Sequence, residues 1–157
     1  MASLVIENGG SEDEAIAALL HDAVKDQGGL RTLQKIRSKF GDNVASIVAE
    51  CPDSFEIPSP HWRGRKEAYI ASIPEKSASA KTISLANAIH NAQALLIVFR
   101  AFGPELWDRF DGGYEGTLWY YRALAQEFTR LGPQSLARQH YFIIAELDTA
   151  ISARAEE

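Results

Sequence analysis

The sequence predicts an all-α protein. Apolar residues recur at helical spacing along almost the whole chain, and no stretch of useful length alternates as a strand would. Glycine and proline pairs punctuate that pattern at Gly9-Gly10, Gly28-Gly29, Gly103-Pro104, Gly112-Gly113 and Gly132-Pro133. A chain of 157 residues is long enough for one domain with a substantial core, so a single compact bundle of seven or eight helices over residues 1–157 is expected.

Each element has its own signal. Residues 2 to 8 read as a short helix that stops at Gly9-Gly10. Ser11 reads as an N-cap with Glu14 as its capping-box partner, opening a mostly buried helix from 12 to about 24. Leu33, Ile36 and Phe40 share one face of a helix over 32 to 40, with Thr32 as its candidate cap. Gly41 ends it, and Val44, Ile47 and Val48 carry the next helix, from 42 to 50. Residues 51 to 60 hold three prolines and no helical period and read as a loop. Helices are expected over 61 to 73, 78 to 101, 104 to 110, 114 to 131 and 134 to 152, the second of these being the longest periodic segment.

Composition narrows the function. Apolar residues make up 46% of the chain and charged residues 24%, as in ordinary globular proteins. A net charge of −5 argues against a general nucleic-acid binder while leaving room for a local basic pocket. The lone Cys51 forms no internal disulfide, which fits a reducing cytoplasm. No uninterrupted apolar stretch reaches the roughly 18 residues of a membrane span, and no signal peptide is recognisable at the N-terminus. The expectation is a cytoplasmic protein with neither membrane nor nucleic acid as partner.

Three stretches carry chemistry. His21-Asp22 in ALLHDAVKDQGG supplies an imidazole nitrogen and a carboxylate oxygen, a pair suited to a divalent metal such as Mn, Fe or Zn. Adjacent helix positions point about 100° apart, so both reach one ion only near a helix end. In SLANAIHNAQAL, Asn87 and Asn91 lie four apart on one face, with His90 beside them; core hydrogen bonding is the plainer role for such asparagines. In HWRGRKEAY, Arg63, Arg65 and Lys66 cluster at a helix start, where phosphate is readily bound, although a solvated basic turn has the same composition. His61 and His140 stand apart from these groups, and a surface or cap role is expected for His140. Trp62, Trp107 and Trp119 read as packing anchors, and Tyr120-Tyr121 as candidates to line a base pocket.

Taken together and in this order, AIAALLHDAVKDQGG, KIRSKFGDNVASIV, WRGRKEAYIASI, SLANAIHNAQAL and GTLWYYRAL make the chain resemble the HD-domain metal-dependent phosphohydrolases. The nearer likeness is to the branch that hydrolyses guanosine polyphosphates, the stringent-response 3′-pyrophosphohydrolases. That resemblance implies an all-α fold, a divalent metal (usually Mn²⁺), and a reaction in which metal-bound water releases pyrophosphate. It places His21 and Asp22 on the metal-binding pair and Asp26 on the second acid a turn later. It also places Asn91 on the family's helix asparagine, and Arg63, Arg65 and Lys66 on its basic helix start as substrate-binding groups.

Three departures bear on activity. No histidine precedes His21, so the family's upstream metal ligand is missing and its N-terminal helix is expected to be absent. Lys25 stands where the family has a catalytic glutamate. Asn87 stands where it has a metal-binding aspartate. The family pattern puts four carboxylates around the metal, whereas this chain offers Asp22 and Asp26 with a lysine between them. Each unit charge at about 4 Å is worth roughly 4 kcal/mol at an effective dielectric near 20, so a dication is disfavoured. Lys25 is expected to reach Asp22 and replace part of the missing cation. Without a covering helix, Leu4, Val5, Ile6 and Leu19 are expected to lie partly open and to favour a partner or self-association. Three readings result: an active or weakly active phosphohydrolase, a pseudoenzyme that binds a guanosine nucleotide or another phosphorylated small molecule, and a helical interaction module.

Overall fold

A computed structural model describes residues 1–53 and 61–155. Among the described residues it is all-α, with eight α-helices and no strand. They are α1 (Ala2–Glu7), α2 (Glu12–Leu20), α3 (Ala23–Asp26), α4 (Leu30–Glu50), α5 (Trp62–Ser72), α6 (Ala78–Phe102), α7 (Gly113–Leu131) and α8 (Gln134–Ala155). Short 3₁₀ turns follow α5 at Ile73–Glu75 and α6 at Gly103–Arg109. Of the loop expected over 51 to 60, residues 54–60 lie outside the described residues.

Local chemistry sets the boundaries. Ser11 and Glu14 form the full capping box: the Ser11 hydroxyl accepts from the Glu14 N–H, and the Glu14 carboxylate accepts from the Ser11 N–H. The helix that begins there ends at Leu20, not near 24. His21 caps it and Asp22 heads α3, a single turn. Gly28 leaves that turn at φ +110°, a region that suits glycine, and the Gly29 N–H closes onto the Val24 carbonyl. Thr32 is not a cap, because α4 begins at Leu30 and the Thr32 hydroxyl donates to the Gln27 carbonyl. Gly41, at φ +88°, breaks α4 where the sequence places a stop, so Leu30–Glu50 is two helices joined at a kink.

Two apolar clusters form the core. One gathers Val5, Ala17, Val24, Ile36, Val44 and Val48 from α1 to α4. The other gathers Tyr69, Ile73, Leu106, Trp107, Phe128, Leu136 and Leu147 from α5, α7, α8 and the 3₁₀ turns. Helix α6 belongs to both, giving Ile83 and Ala86 to the first and Leu85, Ile89, Leu96 and Phe99 to the second. The segment Ala78–Arg109 is long and apolar enough to span a membrane, with a mean hydropathy of 1.3, which corrects the expectation that no such segment exists. Here it is the central core helix, packed against α1, α2, α4, α7 and α8.

The N-terminal face is only partly open. Ile6 and Leu19 are 60% and 74% exposed, as expected, but Val5 is fully buried because it packs into the first cluster. Phe40, expected on an apolar face, is 42% exposed because it sits directly before the kink. His140 corrects the sequence reading most sharply: it is fully buried in α8, its ring 6.5 Å from that of Tyr121, and neither ring nitrogen has a partner.

Two predictions follow from this packing. Burial pushes the His140 imidazole down from 6.5 to about 4. The unfolded chain therefore takes up the proton first. Stability is intact above about pH 6.5 and falls progressively toward pH 4, by up to about 3 kcal/mol. Urea unfolding at pH 7 and pH 5 checks this: the wild type loses more stability between the two than His140→Leu, and equal losses would contradict it. Separately, a Cβ on Gly112 would sit 2.5 Å from the Trp62 ring. Gly112→Ala therefore displaces that indole at a cost of about 1–3 kcal/mol, seen as a changed tryptophan emission and an earlier urea midpoint.

Candidate functional site

The break between α2 and α3 creates the site. It brings His21 and Asp22 to the seam between the two clusters, beside a cavity of about 290 Å³. The α2/α3 junction and α3 supply His21, Asp22 and Lys25, the end of α4 and the residues after it Cys51 and Asp53, and α5 Lys66. Asn87 and Asn91 of α6 and Thr117, Tyr120 and Tyr121 of α7 close the other side. The rings of Trp62 and Phe110 complete the wall.

His21 is held for one role. Its Nδ1 lies 3.0 Å from the Ala18 carbonyl and donates to it, which turns Nε2 toward Asp22. Nε2 is buried and lies 2.8 Å from Asp22 Oδ2, so the two groups form an ion pair when the imidazole is protonated. Burial pushes the imidazole pKa down, but Asp22 and the Ala18 carbonyl outweigh it and leave the pKa raised. Asp22 in turn is lowered, chiefly by its hydrogen bond to His21.

The feature that sequence reasoning missed is Asp53. Its side chain is only 7% exposed, and three cations converge on it. Oδ2 accepts from Arg65 Nη1 and Lys66 Nζ, each at 2.9 Å, and Oδ1 lies 3.3 Å from Lys25 Nζ. Burial alone would raise the Asp53 pKa, yet the three cations, Lys66 foremost, hold it below the ordinary carboxylate range. Lys66 is lowered by its own burial, with Arg65 and Lys25 adding to the effect and Asp53 opposing it. Lys25 thus pairs with Asp53, not with Asp22 as expected, because the one-turn α3 directs it across the cavity. The only signal in the sequence was an acid, one of two shortly ahead of the basic WRGRK stretch, inside a segment that reads as a plain loop.

Of the residues the sequence singled out, His21, Asp22, Lys25, Lys66, Asn87 and Asn91 meet on this cavity. Three do not line it. Asp26 lies one position past Lys25 on α3, which turns it to solvent. Arg63 pairs with Glu67 and stacks over the Trp119 ring at 3.4 Å. Arg65 is held behind the wall by Asp53. Asn91 Nδ2 donates to Asn87 Oδ1 at 3.1 Å, so the two amides act as a pair. Tyr120 and Tyr121 do face the cavity, and burial raises both phenols, that of Tyr121 to about 12. Cys51 is no nucleophile here: burial pushes its thiol up to about 12, and it donates to the Ile47 carbonyl.

The donor set does not fit a tightly held dication. An imidazole beside a carboxylate is suited to a metal, but His21 and Asp22 are paired with each other and are only half of a site. Among the described residues no three His, Cys, Asp or Glu side chains converge on one point. Asp53 is committed to its cations, and Asn87 spends its amide oxygen on Asn91. The ammonium groups of Lys25 and Lys66 face the same space and repel an incoming cation. Polar atoms without partners gather here instead: Asp53 Oδ1 and Thr117 Oγ1 are buried on this wall, and Arg65 Nε is buried without a partner as well.

The whole fold has a solved counterpart. A crystal structure of lmo0812 from Listeria monocytogenes EGD-e superposes with a TM-score of 0.79 at 24% identity, covering 91% of this chain and 92% of that one. No functionally curated protein matches. Residues 1–98 match the HD domain family, a span that includes the His-Asp pair, Asp53, the basic start of α5 and the asparagine pair of α6. On that match, across more than half its length, the chain belongs to the HD-domain family.

Proposed function

We propose that this chain is a binding protein derived from an HD-domain phosphohydrolase. Its cavity holds the phosphate of a phosphorylated small molecule, a guanosine nucleotide on the strength of the sequence resemblance, and metal-dependent hydrolysis is impaired or lost. HD domains are generally metal-dependent, and the family suggests phosphohydrolase chemistry. One observation carries the reading: two ammonium groups, Lys25 and Lys66, stand on the cavity beside His21 and Asp22. A metal site would need carboxylates there.

The residues then have simple tasks. Lys25 and Lys66 receive phosphate oxygens as charge-assisted donors. The asparagine pair and the orphaned Thr117 hydroxyl offer neutral donors and acceptors to the rest of the ligand. Trp62, Phe110 and Tyr120 supply apolar surface for a ring. His21, paired with Asp22, borders the space the ligand would fill. None of this requires a bond to be cleaved.

Two measurements test it. Guanosine monophosphate raises the melting temperature of the wild type, and at about 100 times its Kd the gain approaches 2.7 kcal/mol. Lys66→Met removes the effect; no stabilisation at millimolar nucleotide would end this reading. With manganese and guanosine tetraphosphate the wild type releases no pyrophosphate above background. The Lys25→Glu/Asn87→Asp variant gains manganese affinity over the wild type, and micromolar manganese binding by the wild type would refute the claim of a lost metal site.

A further inference from the structure

The reading above gives Asp53 no role toward the ligand. A carboxylate set among the cations of a phosphate pocket holds them in place and also limits how much negative charge the pocket accepts. We propose that Asp53 is a specificity-determining residue: it makes the cavity select a ligand bearing a single phosphate group over one bearing a pyrophosphate. This rests on the phosphate-binding reading and adds a substrate class to it.

Three observations support it. First, Asp53 is placed as a bound anion would be: its two oxygens lie 2.9 to 3.3 Å from Lys25, Arg65 and Lys66. Arg65 does not line the cavity and its Nη1 is held by Asp53, so only the two lysines meet a ligand there. Second, Asp53 Oδ1 is buried on the cavity without a hydrogen bond in good geometry, and Asp22 stands on the same wall. Two carboxylates therefore face any incoming polyanion while two ammonium groups attract it. The attraction suffices for one phosphate, but each further phosphate adds repulsion with no new cation to offset it. Third, both lysines and both carboxylates line one cavity of about 290 Å³, so a ligand seated in it meets all four charges together.

The test uses inorganic phosphate and pyrophosphate as probes, without metal, by calorimetry at one pH and ionic strength. The wild type binds phosphate at least as tightly as pyrophosphate. Asp53→Asn frees one unit of positive charge next to the site, and its affinity for pyrophosphate rises by roughly tenfold or more, while that for phosphate rises less. A wild type that prefers pyrophosphate tenfold, or a variant in which both affinities change equally, overturns the proposal and leaves phosphate binding intact. If the wild type binds neither probe at millimolar concentration, and Lys66→Met changes nothing, the phosphate reading fails along with it. Should Asp53→Asn not fold, the wild type still decides. The ¹³C resonance of the Asp53 carboxyl moves on addition of phosphate, because the ligand shares its lysines, and an unmoved resonance contradicts the proposal.

Discussion

One helix must be covered on nearly every side, and the rest of the structure is arranged around that need. Helix α6 buries Ile83, Leu85, Ile89, Leu95, Leu96 and Phe99 together with Ala80, Ala86, Ala88 and Ala92. Such a surface is stable in water only inside a bundle. Its alanines let neighbouring helices approach closely, and its larger residues fill the gaps between them. Two separate clusters result, one on each side of the helix. The cover is incomplete along the line of Asn87, His90 and Asn91, the polar strip of the middle of the helix. The cavity opens where the two clusters fail to meet over that strip, so the position of the site is a consequence of how the core is built.

A second constraint acts across this gap. Lys25 belongs to α3, on one cluster, whereas Arg65 and Lys66 belong to α5, on the other. Three cations held so close would repel one another, and Asp53 is what lets them coexist. The carboxylate thus ties α3 to α5 across the seam as it neutralises the wall. A buried group of this kind adds little net stability, since desolvation offsets most of the attraction, but it fixes geometry. The lysines are presented to the cavity at set positions, which a solvated basic turn would not achieve.

How much of this could be read from the chain depended on how local each cause was. The capping box at Ser11 and Glu14, the break at Gly41 and the long apolar helix all arise from near neighbours, and all were legible. The helix end at Leu20 was not, because nothing in ALLHDAVKD forbids helix from continuing through His21; the break there is set by tertiary packing. His140 looked like a surface residue because a polar side chain in RQHYF gives no sign of burial. Its position depends on α8 lying against α7. Asp53 was missed for the same reason. Its significance comes from residues 12 and 13 positions away and from α3, and a proline-rich segment carries no period to point at them. The cluster His21, Asp22, Lys66, Asn87 and Asn91 was legible because the family resemblance supplied long-range information that spacing alone does not contain.

The charges at this site are coupled. A carboxylate at position 25 would face Asp53 at close range, and Arg65 and Lys66 would have to neutralise both. An aspartate at position 87 would still accept from the Asn91 amide but would add a further negative charge beside His21 and Asp22. Without a bound cation, those charges would be buried together and would destabilise the fold. With Lys25 and Asn87 in place, the wall is close to neutral and needs no ion to be stable. Residues this close do not contribute independently. The low negative charge of the His-Asp corner and the cationic cluster around Asp53 are therefore two aspects of one electrostatic balance, met by the chain's own lysines and arginine.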